Sequence, residues 1–90
     1  MRRTAELRYS DSLADGLRLA RLSSGVGLRE TARRVGIEPS NLWRIEKGKF
    51  TPTFDLLGRL LAVYKANLNL GPDGLMLTWL QEPDDGDEAS

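Results

Sequence analysis

The stretch LRETARRVGIEPSNLWRIEKGK, Leu28 to Lys49, decides the fold, and it divides at Gly36. A short helix is expected over Leu28–Val35. Gly36 closes it, because a residue without Cβ enters the left-handed conformation at no steric cost. Ile37 is apolar and tucks beneath the turn. Pro39 suits the first turn of a second helix, where its missing N–H has no intrahelical partner to lose. That helix runs to about Lys47 and stops at Gly48. Ala32, Val35, Ile37, Leu42 and Ile45 are spaced so that the two helices share one buried corner. Two helices joined by a short glycine-containing turn form the helix-turn-helix pattern.

The segment resembles the helix-turn-helix of the lambda-repressor and Cro family, also called the xenobiotic-response-element family. The resemblance rests on Ala32 as the small residue inside helix two, Gly36 in the turn, Glu46-Lys47-Gly48 ending the recognition helix, and Pro52 beyond it. It runs in register from about Leu13 to Tyr64. It implies an all-α, lambda-repressor-like bundle of four to five short helices, acting as a DNA-binding regulator in a bacterial or phage cytoplasm.

Composition narrows the function classes. Ninety residues suit one small core with little stability to spare. The chain has no cysteine and no histidine. Disulfides, thiolate metal sites and the commonest general base and metal ligand are therefore absent. With no glycine-rich phosphate loop either, no enzyme, cofactor or metal site is expected. No apolar run approaches the ~20 residues that span a bilayer, and no signal peptide is visible, so no membrane association and a cytoplasmic setting are expected. Net charge is zero but polarised. Residues 1–49 carry 11 Lys/Arg against 6 Asp/Glu, +5, whereas residues 50–90 carry 2 against 7, −5. The basic half, which holds the helix-turn-helix, can present a positive face to phosphates.

The resemblance assigns roles by register. Helix three is the reading helix, with Pro39, Ser40, Asn41, Trp43 and Arg44 outward and Leu42 and Ile45 inward. Ser40, Asn41, Trp43 and Arg44 are the candidate base contacts: Asn41 can pair with adenine, Arg44 with guanine, and Ser40 can hydrogen-bond a base edge or a phosphate. Trp43 either packs on a thymine methyl or sugar, or covers helix four. Pro39 cannot donate. Glu38, which would repel phosphate, is expected to cap the helix. Arg29, Lys47, Lys49 and Thr51 are the candidate phosphate contacts. Arg29 leads helix two, where Gly27 and Leu28 replace the family's usual capping and phosphate-binding residues. Arg33 and Arg34 read as a solvated face as readily as a DNA contact. The resemblance also implies a structural ion pair between Arg21 and Glu46, fixing helix one against helix three.

Around this centre four regions are expected. Residues 1–11, with Arg2, Arg3 and Arg8, read as a basic arm, frayed or lying along DNA. Residues 12–66 form the DNA-binding domain. Within it Ser12 and Asp15 resemble a capping box. Leu13, Leu17, Ala20 and Ser24 share one face of helix one, Gly16 weakens that helix, and Thr53 caps helix four. Phe54, Leu57, Leu60, Leu61 and Tyr64 then complete the core. Residues 67–81 carry more apolar side chains than a finished four-helix core needs, and such a surplus marks an interface. Leu75, Met76, Trp79 and Leu80 are therefore expected to pair two protomers. The segment is open between a fifth helix, which the resemblance favours, and a hairpin about Gly71-Pro72-Asp73-Gly74. Residues 82–90 read as an acidic disordered tail. The expected partners are double-stranded DNA and a second copy, with a protein partner at the C-terminal segment as the competing class.

Overall fold

A computed structural model describes residues 6–81. The element order is β1 (Glu6–Ser10), α1 (Leu13–Ser24), α2 (Leu28–Val35), α3 (Pro39–Glu46), α4 (Phe54–Tyr64), β2 (Asn67–Gly71) and β3 (Gly74–Gln81). The helix signals act locally. The Ser12 hydroxyl accepts from the Asp15 N–H at 3.3 Å and that of Thr53 from the Leu56 N–H at 3.1 Å. Gly36, at φ 79°, closes α2 in the left-handed region. The Ile37 N–H then reaches back to the Ala32 carbonyl at 3.0 Å and turns the chain toward α3. Glu38 precedes α3 without a side-chain capping bond, so the expected cap is not made.

The all-α expectation is overturned by a three-stranded antiparallel sheet in the order β1-β3-β2. Residues 67–81 form the hairpin and not a fifth helix. Gly71 and Pro72 interrupt any helix there, and Gly74, at φ 112°, makes the turn. Leu68 and Leu70 alternate with asparagines on one strand, and Leu75, Leu77 and Trp79 alternate on the other. Residues 6–10, which had been assigned to the basic arm, pair as β1 along β3, Leu7 opposite Leu80 and Tyr9 opposite Thr78. Arg2 and Arg3 of that arm, and the acidic tail at 82–90, lie outside the described residues.

Alternation gives the sheet two faces. Leu77 and Trp79 point to the helices and are buried at 0% and 4% exposure. They join Leu17, Ala20, Ala32, Leu42, Ile45, Leu60 and Tyr64 in one core, so the core is not closed at Tyr64 as expected. Part of the apolar surplus at 67–81 belongs to the chain's own interior. The other face carries Leu7, Tyr9, Met76 and Leu80, all exposed. The strand that packs most extensively on α1 is β3, with β1 beside it, and α1 in turn packs on α3 and α4. Helix one is thus the layer between the sheet and the helix-turn-helix. Gly16 makes this contact possible, since a Cβ there would lie 2.7 Å from Leu77 Cδ2 and 3.2 Å from Ser10 Cβ.

Candidate nucleic-acid interface

The helix-turn-helix is held from behind by a buried pair. Arg21 Nε donates to Glu46 Oε2 at 2.7 Å and Nη2 to Oε1 at 3.1 Å. A third bond, from Nη1 to the Val26 carbonyl at 3.3 Å, ties the loop after α1 to the same guanidinium. The Glu46 side chain is 3% exposed and that of Arg21 13%. Two parallel bonds to a planar guanidinium fix the orientation of α3 on α1, which a single point charge would not do. The hydrogen bond to Glu46 raises the Arg21 pKa. The Tyr64 phenol stands near this pair, and burial, reinforced by the Glu46 carboxylate, pushes its pKa up. The Tyr64 and Thr31 hydroxyls are buried near each other, and among the described residues neither makes a hydrogen bond of full geometry, which leaves a more polar corner under α2 than an apolar residue at 31 would make.

On α3, Leu42 and Ile45 are buried while Ser40, Trp43, Arg44 and Lys47 are exposed. Positions 40, 43, 44 and 47 recur at three and four residues and line one face. Asn41 and Pro39 are half-buried at its margin. Trp43 is 47% exposed. The Lys47 ammonium lies 5.7 Å from its ring centroid, within reach of the ring's negative face. Trp43 is therefore a flat apolar surface edged by a cation. Lys49 and Thr51, in the loop after α3, are exposed, as is Arg29 in the first turn of α2. The first turn of α2 has no capping side chain, because Gly27 precedes it, so its N–H groups are open to an anion. Further along α2, Glu30 receives hydrogen bonds from both Arg33 and Arg34. These bonds, that of Arg33 foremost, lower its carboxyl to about 2.

Leu75, Met76, Trp79 and Leu80 do not share one surface. Trp79 is buried, and its indole N–H donates to the Ser23 hydroxyl at 3.0 Å. Leu75 is half-buried on the same inner face, and Met76 and Leu80 are exposed on the outer one. Sequence reasoning missed three contributors. Arg59 donates to the Val35 carbonyl at 3.2 Å, closing the end of α2, and pairs with Asp55 at 2.8 Å. The Asp55–Arg59 spacing of four was a legible signal for that pair. The Ser23–Trp79 bond, across 56 positions, and the Lys47–Trp43 contact were not foreseen.

Two short helices crossing at a glycine turn, with an exposed polar and basic stripe on the second, define a helix-turn-helix nucleic-acid-binding module. A family model described as a helix-turn-helix domain matches residues 12–70, well over half of the chain. The chain belongs to that family, and as such is a DNA-binding protein of the regulatory kind. No curated protein and no solved structure gives a match. Among the described residues, no helix is long and apolar enough to cross a membrane.

Proposed function

We propose that this chain is a sequence-specific transcriptional repressor of the lambda-repressor and Cro type. In this reading it acts as a homodimer in a bacterial or phage cytoplasm, and it binds without catalysing. The observation that carries the reading is the exposed α3 stripe Ser40, Trp43, Arg44 and Lys47, held against α1 by the Arg21–Glu46 pair. A helix of this kind enters the major groove with its N-terminal half against base edges. Arg44 reads a guanine through paired bonds, and Asn41 and Ser40 contact neighbouring bases. Trp43 lies on a thymine methyl or sugar, its Lys47 edge turned toward phosphate. Lys49, Thr51 and Arg29, with the open N–H groups of α2, hold the backbone and set register without reading sequence. Two copies on a palindromic operator would place their α3 helices ~34 Å apart.

The test separates reading from holding. Arg44→Ala is expected to cost about 1–3 kcal/mol on the preferred site and to relax preference at one position per half-site. Lys49→Ala is expected to weaken all sequences alike and to flatten the salt dependence by about one charge. Selection of bound sequences from a random pool, followed by salt titration of the selected site, measures both. An Arg44→Ala protein that lost affinity equally for every sequence would sink the base-reading role.

A further inference from the structure

The helix α4 and the strand β2 enclose an apolar groove of about 200 Å³, lined by Phe54, Leu57, Gly58, Leu61, Leu68 and Leu70. Among the described residues, no charged or hydrogen-bonding side chain lines it. At one end stands Phe54, 80% exposed, and at its edge Leu70, 66% exposed. Gly58 sits between them in the middle of α4. A Cβ there would meet nothing within 4 Å, so no contact in this protomer calls for a glycine, which is a poor residue for a helix interior. An exposed helical glycine beside an empty apolar groove is what close approach of a second helix requires.

We propose that this groove is the dimer interface, occupied by a second copy of the same chain with the two α4 helices antiparallel and crossing at Gly58. This rests on the dimeric DNA-binding reading above and deepens it. Knob and hole belong to one patch, which is the condition for an isologous contact: a two-fold axis at Gly58 inserts each Phe54 ring into the other copy's groove. The charges agree with that orientation. Asp55, in the first turn of α4, pairs with Arg59 of its own chain at 2.8 Å, and an antiparallel crossing at Gly58 sets each Asp55 within one helical turn of the other copy's Arg59 as well, so the charges across the seam alternate in sign. Burying Phe54 and Leu70 removes on the order of 300 Å² per protomer, a substantial part of the ~800 Å² each partner of a standard interface buries.

The chain has no cysteine, so single cysteines report proximity cleanly. Oxidised Gly58→Cys is expected to form a covalent dimer, and Leu80→Cys, on the outer sheet face, to remain largely uncrosslinked. Phe54→Asp, at so exposed a position, is expected to leave the circular-dichroism melt unchanged while halving the mass seen by light scattering at high micromolar concentration. Crosslinking through Leu80→Cys with none through Gly58→Cys would move the interface to the sheet and overturn the proposal. So would a wild-type protein that stays monomeric throughout the series. Half-site DNA binding separates this from the functional reading. A monomer that still binds a half-site overturns only the interface, and a Gly58-crosslinked dimer that binds no DNA overturns only the DNA reading.

Discussion

Gly16 and Gly58 are both glycines in helix interiors, and the structure gives their replacement opposite signs. Alanine at either position gains helix propensity of up to about 1 kcal/mol. At Gly16 the new Cβ would meet Leu77, which is 0% exposed and has no room to turn away, and Ser10 behind it. Overpacking of this kind costs about 1–3 kcal/mol, so Gly16→Ala is expected to lose about 1–2 kcal/mol net. Gly58→Ala meets open space and is expected to gain about 0.5–1 kcal/mol. Urea denaturation of both variants at low protein concentration checks the pair; equal signs would refute the account. In the sequence Gly16 is read as a weak point in its helix, whereas Gly58 goes unremarked. Only the approach of a strand from the far end of the chain distinguishes them.

At the scale of the element, α2 carries its own electrostatic brace. Glu30 accepts from Arg33 and Arg34, three and four residues on. These bonds hold its carboxyl at about 2, below its ordinary 4.5. A folded value below the unfolded one means that the contribution is complete above about 4.5 and is lost as pH falls through about 2. Carboxyl NMR titration is expected to place Glu30 near 2 and to show a rise toward the ordinary value in Arg33→Ala, with a smaller rise in Arg34→Ala. The spacing of three and four carries the signal for such pairs, but in the sequence Arg33 and Arg34 read only as a solvated face or a DNA contact. The glycine that ends α2 and the Thr53 cap of α4 are read directly. The C-terminal segment was harder, because its apolar residues fit a helix at 75 and 79 and a strand at 75, 77 and 79 alike. Gly71, Pro72 and Gly74 decide for the hairpin, and its inner face finds a surface on α1 to cover.

For the whole molecule the sheet and the helices form one core, joined at Leu77 and Trp79. Trp79→Ala removes a buried ring and the bond to Ser23, at an expected cost of about 3–5 kcal/mol. Domains of this size are stable by only about 5–15 kcal/mol, so a fall in Tm on the order of 10–40 °C is expected. Circular dichroism at a helical and a strand wavelength is expected to show one coincident transition. Two separate transitions would mean that the sheet is an appendage and not part of the core. The functional stripe does not depend on the sheet directly, but α1 stands between them and transmits its position through the Arg21–Glu46 pair.

What the chain's residues determined by themselves is the helix-turn-helix: its turn glycine, its inward and outward faces, and the stripe it exposes. Those features arise from side-chain spacing and local backbone preference, which act within a few residues and are readable in order. The tertiary structure alone decided that Leu7 and Tyr9 belong to a strand, that Trp79 is interior, and that the groove at Gly58 stands open. The first depends on pairing β1 with β3 across some seventy positions, the second on β3 packing against α1, and the third on how β2 lies beside α4. Contacts so distant in the chain leave no periodic trace in a single sequence, because what specifies them is the surface each element presents once the others are in place.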